Sequence, residues 1–356
     1  MSNINIAEIT SFCHTVFSDT LRKTQRENLG RAVAALVSGQ DAHLSAMARS
    51  FTGAKKFRYR LKRFDRFIGN GRVKVWQCWP VLVPLILKLA DRLNGCLPVL
   101  VDHTDVGKNL RVFYAAVLFK RRALPLIFFV FNKRKIRKSQ NKIEEHLLRQ
   151  LHEIIPARLR VVIVADRGFG RVSLFRFLER LKWHYVIRVK GKVYVRDVRE
   201  EGILRDLPEQ WWRAGVRYHK TAQYQLNLLS ISAGTDDPWH LATNLTDSVL
   251  VKTIYEKRMK IEELFRDQKW HVGMVTPTAR QLSRFTRLLF IVLLTSLVLL
   301  LLGKEVLRYP TLVQSLITNV ASAGLLWLAG QVVQHAPPDQ VQILLRRVMK
   351  TLKTAL

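Results

Sequence analysis

The sequence predicts an α/β protein, a sheet-forming middle flanked by helical regions at both ends. Between residues 96 and 190, short runs of β-branched and aromatic residues alternate with stretches of helical spacing. On either side, apolar residues recur at intervals of three and four. A hydrophobic content of 48% in a chain of 356 residues is enough to fill a core, which argues against disorder.

Residues 1–95 read as helical. Ser18 or Asp19 serves as a start signal for a helix carrying the spaced Leu29, Val33, Leu36 and Val37, and a short helix should cover Leu44 to Phe51. The next segment interleaves Lys55, Lys56, Arg58, Arg60, Lys62, Arg63 and Arg66 with Phe57, Tyr59, Leu61, Phe64 and Phe67, the pattern of a basic amphipathic helix. It is either a DNA contact, with Lys55, Lys56, Arg58 and Arg60 meeting phosphates, or a surface helix with an aromatic core face.

Leu97 to Asp102, Arg111 to Phe119, Leu124 to Phe131 and Leu159 to Asp166 read as strands. Asn141-x-x-Glu144 has the form of a capping box that opens a helix through about Leu151. Phe175 to Leu181 is a further helix and Tyr185 to Val189 a fifth strand. Three strands, a helix and another strand make an α/β arrangement. Residues 191–238, with the pair Trp211-Trp212 and the turn-rich Ala233 to Pro238, read as a small β-rich insertion. Trp239 to Asn244 resumes a strand, and Val249 onward is helical without interruption through Trp270.

Residues 288–302 are uncharged and apolar, bracketed by Arg284 and Arg287 before and Lys304 and Glu305 after. At about 15 residues the run falls short of the roughly 20 that span a membrane, so a buried core helix is expected and an integral membrane protein stays as the alternative. Leu312 to Val333 should be helical, Pro337-Pro338 a break, and Gln340 onward a basic helix. The expected organisation is thus a helical N-terminal region (1–95), a core in two parts (96–190 and 239–305) around the insertion (191–238), and C-terminal helices (306–356).

Charge narrows the partners. Lys plus Arg number 59 against 27 Asp plus Glu, a net charge of +32 spread along the whole length. Such an excess repels itself unless a polyanion is near, and nucleic acid is the first candidate, with a merely soluble basic protein as the bland alternative. The three cysteines, Cys13, Cys78 and Cys96, have no metal-site spacing and suggest no disulfide framework. The start MSNINIAEIT has no secretory pattern, so a cytoplasmic location is expected.

Two aspartates share a context: Val99-Leu-Val-Asp102 and Val162-Ile-Val-Ala-Asp166 each place Asp at the C-terminal end of a buried strand, where open α/β sheets put their sites. Either alone could be a turn residue. At about 100° per residue, Tyr255, Arg258, Glu262 and Lys269 fall within one sector of about 60°. Ile261, Met259 and Phe265 flank this stripe, and Glu256, Lys260, Glu263 and Asp267 form the expected solvent face. The stripe should face the protein, either as part of a site or as a buried Arg258–Glu262 ion network.

The run Tyr255-x-x-Arg258-x-x-x-Glu262-x-x-x-x-x-x-Lys269 resembles the YREK signature of IS4-type DDE transposases of bacterial insertion sequences. Asp166-Arg-Gly-Phe169 is similar to that family's second-Asp motif and Asp102-x-Thr104 to its first, a resemblance over residues 97 to 275. It implies an RNase H-like core interrupted by the β insertion, with Asp102, Asp166 and Glu262 as ligands of two Mg²⁺ ions, which Mn²⁺ can replace. Hard oxygen donors suit such ions, which activate a nucleophile and stabilise the leaving oxygen. By the same resemblance, Tyr255, Arg258 and Lys269 contact phosphates of the transposon end, and Trp239 stacks a flipped base during hairpin formation or packs under its strand. The partners implied are the terminal inverted repeats and target DNA, bound by a homodimer in the bacterial nucleoid. A DNA-binding regulator with the same fold and no cleavage is the alternative.

Overall fold

The computed structural model describes residues 6–51, 56–136, 140–208, 211–232, 237–274, 279, 281–316 and 324–354. Lys55 lies outside them. Helices lead the chain: α1 (Ile6–Val16), α2 (Lys23–Gly39), α3 (Leu44–Ser50), α4 (Phe57–Gly69), α5 (Val75–Cys78) and α6 (Val83–Leu89). The expected start of α2 at Ser18 or Asp19 is corrected to Lys23, because those two side chains bond each other in the preceding turn. Gln25 closes the true start, its side-chain oxygen accepting from the Arg22 amide at 2.9 Å. Leu29, Val33, Leu36 and Val37 are buried as their spacing predicted.

On α4 the aromatic face is split. Phe64, Phe67 and Ile68 are buried, whereas Phe57 and Tyr59 are exposed. Phe57 shares the face of Phe64 but sits in the first turn; Tyr59 falls on the other face, with Lys62, Arg63 and Arg66. Arg284 pairs with Asp65, and Arg287 Nε donates to the Ile68 carbonyl at 2.6 Å, fastening α4 to the core.

The middle of the chain runs β1 (Cys96–Val106), β2 (Leu110–Phe119), β3 (Arg122–Asn132), α7 (Gln140–Ile154), β4 (Arg160–Ala165), α8 (Val172–Arg180) and β5 (His184–Val189). Then come β6 (Tyr194–Arg196), β7 (Glu201–Ile203), β8 (Trp212–Tyr218), β9 (Tyr224–Ile231) and β10 (Trp239–Thr243). All ten strands form one sheet in the order β3-β2-β1-β4-β5-β10-β9-β8-β6-β7. In its first half, β3, β2 and β1 pair antiparallel and β1, β4 and β5 parallel, the RNase H-like arrangement. Residues 191–238 are β-rich, as expected, and their strands extend this same sheet through the antiparallel β5–β10 pair.

Three expectations about local structure are corrected. Strand β1 does not end at Asp102: it continues to Val106, with Asp102 opposite Tyr114 on β2. Asn141 and Glu144 are not a capping box, because α7 already contains both. Glu144 stands with Leu147, Leu148 and Leu151 on the buried stripe at i, i+3, i+4 and i+7. The helix expected from Val249 to Trp270 is two, α9 (Ser248–Tyr255) and α10 (Met259–Trp270). Between them, Lys257, Arg258, Lys260 and Ile261 donate to carbonyls three residues back, a tight 3₁₀-type turn that changes the angular phase.

Helix α11 (Leu282–Val306) is 25 residues long, so length does not separate it from a membrane span; its most apolar window is 94% buried inside the fold, which does. It packs against α2 and β3, and against α13 (Leu325–His335) and α14 (Pro338–Thr354), which follow α12 (Pro310–Leu316). The single helix expected from Leu312 to Val333 is thus α12 and α13, with residues 317–323 outside the described set. A Cβ on Gly303 would lie 2.1 Å from the Leu325 carbonyl oxygen, so only glycine lets α13 begin this close to α11.

Candidate active site

The parallel ladder between β1 and β4 ends at Leu100 and Val164. Asp102 on the continuing β1, and Asp166 just past the end of β4, therefore both lie beyond the carboxyl end of that ladder, where parallel strands leave a crevice. They line one cavity of about 390 Å³ together with His103, Glu144, Gly168 and Phe169. Asp166 accepts from the Gly168 amide at 2.9 Å, and a Cβ at Gly168 would stand 3.1 Å from the same oxygen, so glycine keeps the carboxylate clear.

Asp102 is 17% exposed and accepts from the His103 amide at 2.7 Å. Burial raises its carboxyl to about 6; the His103 amide opposes this, the Asp166 and Glu262 carboxylates add to it, and Arg258 opposes it. The other two acids are thus within electrostatic reach of Asp102. Glu262, in the first turn of α10 and 42% exposed, sits 2.7 Å from Arg258 Nη2, whose other nitrogen Nη1 is 3.8 Å from Asp102. A guanidinium therefore stands between two of the acids, and the Arg258–Glu262 ion pair considered from the sequence exists within the site. Among the described residues no three acid, His or Cys side chains are drawn together into a metal cage. The donor set nevertheless suits a hard divalent cation: carboxylate oxygens only, with Asp102 lifted by burial and, to a lesser extent, by the neighbouring carboxylates.

Tyr255, the last residue of α9, is 3% exposed, and burial pushes its hydroxyl up to about 12, with Arg258 and Arg188 acting against the rise. Its ring meets that of half-buried Trp239 edge-on, centroids 5.1 Å apart. Lys269 lies about two turns beyond Glu262 on the same face of α10. The solvent face expected for this helix is corrected. Asp267 is buried and Glu263 pairs with Arg122 at 2.8 Å, while Glu256, Met259, Arg266 and Trp270 are the exposed positions. On α4, Arg58 is exposed, as is Lys56 just before the helix. Arg60 donates to the Phe51 carbonyl at 2.6 Å. No contact among the described residues joins these three to the carboxylate site.

The sequence reading missed Glu144. It is 2% exposed and lies 2.8 Å from Arg171 Nη2, an ion pair whose angle falls outside that of a good hydrogen bond; it also accepts from Gln140 at 3.1 Å and stands 3.4 Å from His103. Burial raises its carboxyl above the ordinary range and Arg171 opposes that shift. His103, driven down to about 3 by burial, is neutral at pH 7 and stacks on Phe169 at 5.2 Å. Glu144 therefore ties the neighbour of Asp102 to the loop that follows Asp166. The signal was present in the i, i+3, i+4, i+7 spacing with Leu147, Leu148 and Leu151.

An RNase H-like sheet with two aspartates beyond one end and a glutamate on a later helix is the arrangement of a DDE-type protein. Residues 115–298 match the family model of the transposase DDE domain, more than half of the chain, which therefore belongs to that family. Asp166 and Glu262 fall inside the match and Asp102 lies upstream of it. No curated protein matches the chain. Among solved structures, a piggyBac transposase synaptic complex with hairpin DNA is similar at a TM-score of 0.46 and 11% identity, over 99% of this chain and 82% of that one.

Proposed function

We propose that the chain is an IS4-type transposase that cleaves DNA at the ends of its element and joins them to a target, by cut-and-paste through a hairpin intermediate. The observation that carries this is the cavity shared by Asp102 and Asp166, with Arg258 between Asp102 and Glu262, in a DDE-family protein. Asp102, Asp166 and Glu262 would hold two Mg²⁺ ions, or Mn²⁺ in their place. When bound, such a pair supplies Lewis acidity to the attacking and leaving oxygens of a phosphodiester.

The chain's own residues orient the DNA. Arg258, between two acids, is placed to turn its fork from Glu262 to a phosphate, a bidentate contact that lysine could not reproduce. Lys269 offers a point charge farther along α10. Tyr255 is held by its packing on Trp239, and Trp239 offers a face for an unstacked base. The partners are the terminal inverted repeats and target DNA, bound by a homodimer in the bacterial cytoplasm. A second reading, a DNA-binding regulator without cleavage, draws on Arg258 already satisfying Glu262.

Incubating the protein with a duplex carrying its element's terminal repeats and Mg²⁺, then sizing strands on a denaturing gel, separates the two. Nicks at the element boundary are expected. Binding without any nick in Mg²⁺ or Mn²⁺ would leave the regulator.

A further inference from the structure

Helices α2 and α4 face each other across an open groove of about 510 Å³ that lies wholly outside the residues matching the DDE family. From α4 it receives Tyr59, Lys62, Arg63 and Arg66, spaced i, i+3, i+4 and i+7 and hence on one face. From α2 it receives Asn28 and Arg31 on a second face, with Glu27 beside them. Four cations thus share the groove with one carboxylate, and that carboxylate is 3.9 Å from Arg31. Lys62 and Arg66 are exposed and have no ion pair or hydrogen bond of their side chains among the described residues.

We propose that this groove binds the phosphate backbone of duplex DNA, with Arg31, Lys62, Arg63 and Arg66 on the phosphates. The proposal rests on the reading of the chain as a DNA-acting enzyme, because the groove by itself specifies only a polyanion. Its volume exceeds what a single phosphate fills, and its cations follow two helix axes, which suits a continuous chain of charges. Asn28, and Asn70 at the end of α4, add hydrogen-bonding groups of the kind that fix a duplex in register. Tyr59, 61% exposed at the rim, offers an aromatic face to the sugars. Burial and the neighbouring Arg31 both lower the affinity of Arg63 for its proton, so the groove carries positive charge that an anion would relieve.

The groove is also fixed to the catalytic body. Arg284 on α11 pairs with Asp65, Arg287 bonds the Ile68 carbonyl, and α2 packs on α11. Duplex seated here would be held rigidly relative to α11. The contact moves the N-terminal footprint from Lys56 and Arg58, at the start of α4, to the later turns of that helix and to α2.

The test follows fluorescence anisotropy of a fluorescein-labelled mixed-sequence duplex through a salt series. Compared are wild type, Lys62→Ala/Arg66→Ala, Arg31→Ala/Lys62→Ala/Arg63→Ala/Arg66→Ala, and Lys56→Ala/Arg58→Ala. Each lost phosphate contact should flatten the slope of log K against log salt by about 0.9, so by about 1.8 for the double and about 3.6 for the quadruple variant. Lys56→Ala/Arg58→Ala should change it less than Lys62→Ala/Arg66→Ala. Lys62 and Arg66 are exposed, so their double variant stays informative if the quadruple one fails to fold. An unchanged slope in the folded double variant overturns the groove, as does full competition by a poly-glutamate peptide at equal charge concentration. Mg²⁺-dependent nicking by wild type, scored on the same duplex carrying an element end, reports separately on the enzyme. Loss of nicking with the slope difference intact would sink that reading and leave the groove standing.

Discussion

Around Asp102 the charges of both signs are interlocked: Arg258 sits between Asp102 and Glu262, and Arg171 meets Glu144 beneath the surface. Between α2 and α4, four cations face one carboxylate and two of them have no side-chain partner among the described residues. One region has balanced its charge internally, because desolvated ions are costly unless paired. The other leaves its charge open, because exposed cations cost little in water and attract a polyanion from a distance. In a chain of net charge +32, the candidate site and the proposed groove therefore handle charge in opposite ways.

The sharpest way to break the comparison is to remove acids from the balanced region. Asp102→Asn, Asp166→Asn and Glu262→Gln should each lower metal-dependent cleavage on the order of 10⁴-fold, about 5.5 kcal/mol at 1.36 kcal/mol per decade. Binding to end DNA should persist, and, if the proposed trio acts as a unit, doubles should cost little more than singles. Full cleavage by folded Glu262→Gln protein would falsify its place in the trio.

Next in size is Glu144→Ala, which leaves Arg171 facing a void and should destabilise the fold by about 3–5 kcal/mol in denaturant melts. Glu144→Leu combined with Arg171→Met, which removes both charges, should recover most of that loss. No recovery would mean that Glu144 acts through His103 or Gln140 and not through the ion pair. Trp239→Ala follows. If its ring supports a flipped base, hairpin formation should fall by the equivalent of about 1–3 kcal/mol while first-strand nicking persists. Equal loss of both steps would assign the ring to its packing on Tyr255.

The smallest effect belongs to the cavity rim. The Arg111 side-chain hydrogen bond, aided by Lys133 and opposed by partial burial, lowers the Asp105 carboxyl to about 2. Since the folded value lies below the ordinary 3.8, the pair stabilises at neutral pH and its contribution is lost as pH falls from about 4 toward 2. Solvent screens this exposed pair, so Asp105→Asn should cost under about 1 kcal/mol at pH 7. A difference from wild type that survives at pH 2 would assign the effect to packing.

The strands were legible because β-branched runs announce themselves locally, and the meeting of Asp102 and Asp166 in one cavity because each follows such a run. Burial of Leu29, Val33, Leu36 and Val37 followed from period alone, since a helix presents i, i+3, i+4 and i+7 to one side wherever it packs. The same rule held for Glu144 but was masked by the competing form of a capping box. What lies across from a face is not written in its period. The extension of the sheet by residues 191–238, the Arg258 guanidinium between Asp102 and Glu262, and the pairing of α2 with α4 all join segments far apart in the chain. The break between α9 and α10 was hidden for a further reason: four residues bonded to carbonyls three back leave no mark in composition, yet they shift the phase of the helix that carries Glu262. Local sequence chose the elements and their faces; closure of the core chose the partners, because an unpaired charge or apolar face finds its lowest free energy only against another part of the chain.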